Sequence, residues 1–189
     1  ICPQAMTEGC FTNGCRVEPG AFEENVFCFF RNPASGTTEY TGFGRVPLVI
    51  EAVFEDLAVK QAVLKETEAV LSPTAIFATN TSSLSVTAIA AACRRPERCA
   101  GFHFFNPVPL MKVVEVIAGL KTDPATCQAL TDYARQMGHT PVQAGDTPGF
   151  IVNHAGRGYG TEALRIASEG VADFATIDRI LRDQVGFRL

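Results

Sequence analysis

The sequence predicts an α/β sheet, mostly parallel, that gives way to an all-helical segment. Three observations carry this reading. Between Pro47 and Gly145, short apolar runs alternate with stretches of helical period, the pattern of strands joined by crossover helices. After Gly145-Asp146-Thr147-Pro148-Gly149 the periodicity is wholly helical. Before Pro47 neither period extends over a useful length.

Taken in order, residues 1–46 carry turn residues throughout and one short apolar run, Val26 to Phe30, and stay unassigned. "PLVIEAV" (47–53) is β-branched and apolar, as a buried strand is. "EDLAVKQAVLKETEAVL" (55–71) places Val59, Ala62, Val63 and Val70 on one helical face and charges on the other, and Ser72-Pro73 stops it. "TAIFATN" (74–80) reads as a strand and "SVTAIAAAC" (85–93) as a short helix. Two strands follow, "RCAGFHFF" (98–105) and "KVVEVIAG" (112–119). "DPATCQALTDYARQMG" (123–138) opens on Asp-Pro and closes on Gly, the signals of a helix start and stop. "HTPVQAG" (139–145) is the last strand. Two helices are expected beyond the Pro/Gly turn, over 150–170 and 174–186. The expected divisions are 1–46, 47–146 and 147–189. Two terminal helices are too little chain to bury their own faces, and the first residue is Ile, so the sequence reads as an incomplete chain.

Composition narrows the function. Hydrophobic residues make up 47% and charged residues 19% of 189, which is globular rather than disordered. A net charge of −4 without a Lys/Arg cluster argues against nucleic-acid binding. No apolar run approaches the roughly 20 residues that cross a bilayer, and no signal peptide is readable. Of seven cysteines none forms a CxxC pair, and with three histidines a zinc site is not expected. Cys93, Cys99 and Cys127 read as free buried thiols of a reducing, cytoplasmic protein.

The stretch "GFHFFNPVPLMKVVEV" (101–116) carries the chemistry. Glu115 stands among valines, a costly place for a charge without a partner. Twelve positions separate it from His103, with Pro109 midway. If "NPVPL" reverses the chain, the two residues face each other across antiparallel strands, with β-carbons about 5 Å apart. A carboxylate there holds the tautomer of the ring and supports positive charge on it, as a general base or acid requires. A core histidine satisfied by a structural carboxylate fits the same spacing.

Taken together, "LVIEAVFEDLAVKQAVL", "ATNTSSLSV", "GFHFFNPVPLMKVVEVI" and "DTPGFIVN" resemble the L-3-hydroxyacyl-CoA dehydrogenase family, including 3-hydroxybutyryl-CoA dehydrogenases of the bacterial branch. The resemblance runs from about Leu48 to Leu189. It implies a Rossmann-like NAD-binding domain followed by the start of a helical substrate and dimerisation domain. It further implies NAD-dependent oxidation of an L-3-hydroxyacyl-CoA to the 3-ketoacyl-CoA, in an intact enzyme that is a homodimer. By that resemblance His103 is the catalytic base, Glu115 orients it, and Ser82 and Asn153 hold the substrate oxygen. Ala52, Glu55, Lys60, Asn80 and Ser82 are implied as cofactor-binding. Taken alone, Ser82 reads first as a turn or cap serine, Asn153 as a buried helix asparagine, and Glu55 with Lys60 as an exposed helix pair, and it is the constellation that reverses the first two.

One family feature is missing: no GxGxxG occurs, and "TGFGR" offers only Gly42 and Gly44. The first βαβ unit is therefore absent or unrecognisable, and the chain as it stands is expected to be weakly active or inactive. Two other readings stay open. One is a non-catalytic, crystallin-like use of the fold, which would need none of the four catalytic candidates. The other is a segment of a multifunctional β-oxidation protein.

Overall fold

The computed structural model describes the backbone of residues 27–29 and 35–37, residue 40, and residues 42–187. Seven strands form one sheet: β1 (Phe27–Phe29), β2 (Ser35–Thr37), β3 (Leu48–Glu51), β4 (Ile76–Thr79), β5 (Cys99–Phe104), β6 (Val113–Ala118) and β7 (Thr140–Gly145). Their order is β2-β1-β3-β4-β5-β6-β7. Among β3–β7 every pairing is parallel except β5 with β6, the mixed sheet of a Rossmann-like domain. At the edge, β1 runs antiparallel to both β2 and β3. The expected parallel majority thus holds for β3–β7 alone. The run Val26–Phe30 contains β1, but strands of three residues are too short for a period of two to register.

Among the described residues the α-helices are α1 (Leu57–Val70), α2 (Val86–Ala90), α3 (Pro124–Gln136), α4 (Val152–Ser168) and α5 (Phe174–Ile180). Four begin at a side chain that accepts from an otherwise orphaned amide of the first turn, namely Asp56, Ser85, Asp123 and Asp173. Gly138, at a positive φ that costs glycine nothing, ends the turn after α3. The chain divides into two compact units between Phe150 and Ile151. In the second, α4 has no buried residue and α5 buries Ile177.

Side-chain alternation sorts the strand residues onto two faces. Leu48, Ile50, Ile76, Ala78, Ala100, Phe102, Phe104, Val114 and Val116 pack with Cys127, Leu130 and Ala134 of α3. The alternate residues Val49, Phe77 and Cys99 pack with Val63 and Leu64 of α1 and Ile89 and Ala90 of α2. The face of α1 differs from the sequence expectation. Lys60, Val63, Leu64 and Thr67 are buried, whereas Ala62 and Val70 are exposed and Val59 is half-buried. A buried lysine defines this stripe, and a purely apolar count misplaces it by about one residue.

The second face matters for function. Continuing its alternation along β3, β4, β5 and β6 brings up Glu51, Thr79, His103 and Glu115, all buried. They are polar residues on a face that is otherwise apolar. Gly101 lies among them, paired with Thr79 on one side and Ile117 on the other. A Cβ there would meet the Ile117 Cβ at 2.8 Å and the Val86 Cγ2 at 2.9 Å, so only glycine lets α2 approach this closely.

Candidate active site

After β5 the segment 105–112 reverses the chain, with the amides of Leu110 and Met111 donating to the Pro107 carbonyl. β6 therefore runs antiparallel to β5, with His103 directly opposite Glu115. The Nδ1 of His103 lies 2.7 Å from the Oε2 of Glu115, and both side chains are buried. A carboxylate only accepts, so Nδ1 carries the hydrogen and Nε2 is the basic nitrogen of the neutral ring. The imidazole is flanked by the rings of Phe105, 4.6 Å between centroids, and Phe150, 5.6 Å.

The carboxyl ends of β3 and β4 supply the rest. Glu51 ends β3, and both its carboxylate oxygens accept from the Nζ of Lys60 at 3.1 Å. It also accepts from the Thr79 hydroxyl and from the amide of Val53. The Lys60 ammonium donates in addition to the Val53 carbonyl at 3.2 Å and lies 3.5 Å from Glu55. Lys60 is wholly buried, so it is neither an exposed helix partner of Glu55 nor a group at the surface of this edge. It holds the 51–55 turn from beneath. Ala52 is half-buried on that turn, and Asn80 is buried just past β4, where its Oδ1 accepts from the amide of Phe104 at 2.9 Å.

Glu55 grips the loop that carries Ser82. Its Oε1 accepts from the Thr81 hydroxyl at 2.6 Å, the amides of Ser82 and Ser83 at 2.8 and 2.9 Å, and the Ser83 hydroxyl at 3.1 Å. Burial raises the pKa of this carboxyl. The bonds from Thr81, Ser82 and Ser83 and the Lys60 charge outweigh it and hold the group below its ordinary value. Ser82 itself is half-buried. Asn153 lies in the second compact unit, half-buried in the first turn of α4. The structure thus brings Ala52, Glu55, Asn80, Ser82, His103 and Glu115 to the carboxyl-end side of the first unit, with Lys60 below them.

Sequence reading passed over Glu51, Thr79, Asp146 and Phe150. Glu51 had a usable signal, the one already applied to Glu115: an acid inside an apolar strand. The glycines of "TGFGR" lead into a single 3-10 turn, Phe43–Arg45, and not into a helix that could cradle a pyrophosphate. Among the described residues no group of three His, Cys, Asp or Glu could hold a metal ion, and no helix is long and apolar enough to cross a membrane. Cys99 and Cys127 are buried and free, while Cys93 is only half-buried. Burial and a bond to Glu68 push the Cys93 thiol up to about 12, which removes it from nucleophilic chemistry.

Acid sensitivity follows from the carboxylates that bind backbone. For Glu68 and Asp146, as for Glu55, burial raises the pKa and donated hydrogen bonds more than reverse it. Folded-state values below the unfolded ones mean stability that is present above about pH 4 and is lost as pH falls through the folded values. The urea midpoint is expected to drop between pH 7 and pH 3, and to drop less in Glu68→Gln. An unchanged midpoint in the native protein would contradict this.

An open α/β sheet that gathers polar groups at its carboxyl edge defines a class, the nucleotide-binding Rossmann-like domains. Comparison supplies the family. Residues 15–147 match the family model "3-hydroxyacyl-CoA dehydrogenase, NAD binding domain", and 149–189 match its "C-terminal domain". The chain belongs to the 3-hydroxyacyl-CoA dehydrogenase family. The match begins well before Leu48, inside the segment where the quoted motifs find nothing. A 3-hydroxyadipyl-CoA dehydrogenase of Escherichia coli is 46% identical over 150 residues, covering 79% of this chain and 32% of that protein. A fatty acid oxidation complex subunit alpha of Pseudomonas aeruginosa is 42% identical over 168 residues, covering 89% and 23%. The crystal structure of an (S)-3-hydroxybutyryl-CoA dehydrogenase from Ralstonia eutropha superposes with a TM-score of 0.77 at 36% identity, covering 80% of this chain and 54% of that one. The chain thus spans a third or less of the length of these two curated relatives.

Proposed function

We propose that the protein carrying this chain oxidises an L-3-hydroxyacyl-CoA to the 3-ketoacyl-CoA with NAD, and that His103 is the base that takes the hydroxyl proton. The supporting observation is the 2.7 Å bond between His103 Nδ1 and Glu115, which leaves Nε2 as the proton acceptor. Once protonated, the ring carries positive charge in a buried setting, where the carboxylate behind it counts for far more than it would in water. Phe105 and Phe150 cover the ring. Ser82 and Asn153 would fix the direction of the substrate oxygen through short polar groups. Ala52, Glu55, Asn80 and Ser82 are the residues that would hold the nicotinamide side of NAD, with Lys60 acting beneath them on the turn. When bound, NAD would supply the acceptor for the hydride of carbon 3. The same reading makes the first unit the NAD-binding domain and α4–α5 the start of the substrate and dimerisation domain of a cytoplasmic homodimer.

Glu115→Gln tests the pair, since it keeps the shape and removes the charge. Turnover of acetoacetyl-CoA with NADH should fall at least about tenfold, one decade for each ~1.4 kcal/mol of lost imidazolium stabilisation. Normal turnover would make Glu115 a structural partner and end the dyad reading.

A second reading concerns the larger protein. The 42% identity to an oxidation-complex subunit over 89% of the chain, beside the 46% identity to the 3-hydroxyadipyl-CoA dehydrogenase over 79%, keeps a segment of a multifunctional β-oxidation protein as the alternative. Sequencing the encoding locus upstream of this segment tests it: a hydratase-coding region there supports the reading, and its absence removes it.

A further inference from the structure

We propose that Asp146 is a positioning residue that sets Ser82 and His103 in register by clamping the far end of the Ser82 segment. Asp146 directly follows β7. Its Oδ1 accepts from the Val86 amide at 2.8 Å, and its Oδ2 accepts from the Thr87 amide and the Ser85 hydroxyl, each at 2.8 Å. Glu55 holds the near end through Thr81, Ser82 and Ser83. Between the two carboxylates, Thr81 Oγ1 accepts from the Leu84 amide at 2.9 Å, and Ser85 Oγ accepts from the Ala88 amide at 3.1 Å. The segment 81–88 therefore hangs from two acidic side chains, one in the turn after β3 and one directly after β7. Both ends are fixed by charge-assisted bonds, which are stronger than neutral ones.

The other side of Asp146 leads to the histidine. The chain turns at once, with the Phe150 amide donating to the Thr147 carbonyl at 2.9 Å. Phe150 adopts φ 50°, in the left-handed region where a bulky residue is strained. Such strain persists where neighbours over-determine it, and it clusters at functional sites. Phe150 is buried against His103, and it packs with Val86, the residue whose amide Asp146 holds. One residue thus bonds the Ser82 segment through its side chain and leads, through its backbone, into the turn that seats a ring on His103.

This inference rests on the proposed role of Ser82, so the experiment separates the two. In the whole protein, turnover of acetoacetyl-CoA with NADH, NADH affinity and amide hydrogen exchange are measured for Ser82→Ala, Asp146→Ala and Asp146→Asn. A displacement of the order of an ångström costs roughly 10²-fold in rate. Asp146→Ala is expected to lower kcat by that order, with NADH affinity changing no more than it does in Ser82→Ala. Exchange at Val86, Thr87, Ser82 and Ser83 should quicken together. Asp146→Asn, which keeps an acceptor oxygen and the shape, should recover part of both effects and serves as the folded reference if the alanine variant fails to fold. Unchanged kcat in both Asp146 variants while Ser82→Ala loses turnover overturns the clamp and leaves the role of Ser82 standing. Faster exchange confined to Val86 and Thr87, with unchanged kcat, does the same. Normal turnover in Ser82→Ala overturns the role of Ser82 itself, and the inference falls with it.

Discussion

Replacing His103 by alanine lowers turnover of acetoacetyl-CoA with NADH by roughly 10²–10⁴, the usual worth of a positioned general acid or base. In this direction the proposed role would have the residue return to the substrate oxygen the proton that it takes during oxidation. NADH affinity should stay unchanged, because His103 lies at the end of β5 while the candidate cofactor residues follow β3 and β4. The alanine variant also removes one partner of a fully buried glutamate, which costs stability for reasons unrelated to catalysis. His103→Gln separates the two effects, since its amide can still donate toward Glu115 but cannot accept a proton near neutral pH. Both variants should lose turnover, and the glutamine variant should unfold nearer the native denaturant midpoint. Turnover within about threefold of native in His103→Gln would end the general-base assignment.

Much of this site was legible in the sequence, because a strand's period is rigid. Once two strands are antiparallel about a central turn, residues equidistant from it must face each other, and a twelve-residue separation about Pro109 is enough to pair His103 with Glu115. Helix starts were legible for a similar reason, since Asp123-Pro124 and Ser85 cap their helices through local bonds. What stayed hidden depends on contacts far apart in the chain. Glu55 meets the Ser82 loop 26 to 28 positions away, and Asp146 meets the same segment from 59 to 61 positions away. No local period encodes either. The face of α1 is hidden for a second reason. Hydrophobic periodicity counts Lys60 as polar and hence exposed, whereas its partner on β3 makes burial tolerable.

That partner gives Lys60 the largest expected effect on stability. Lys60→Met keeps most of the side chain's volume but leaves Glu51 fully buried, with the Thr79 hydroxyl and the Val53 amide as its remaining donors among the described residues. Removing one member of a buried ion pair typically costs about 3–5 kcal/mol, because the survivor's charge is no longer compensated. A domain of this size is stable by only about 5–15 kcal/mol, so such a loss should be plain in the urea midpoint. Removing both charges together, as in Glu51→Gln with Lys60→Met, should recover most of it, since what destabilises is the stranded charge and not the missing bridge. The non-additivity of this cycle measures the coupling directly. A cost below about 1 kcal/mol for Lys60→Met would mean that water or a proton reaches Glu51, and that the pair is not closed. The cycle also bears on function, because the Lys60 ammonium ties the Val53 carbonyl beneath the turn that presents Glu55. If Lys60 acts only through that turn, the double variant recovers stability without recovering NADH affinity.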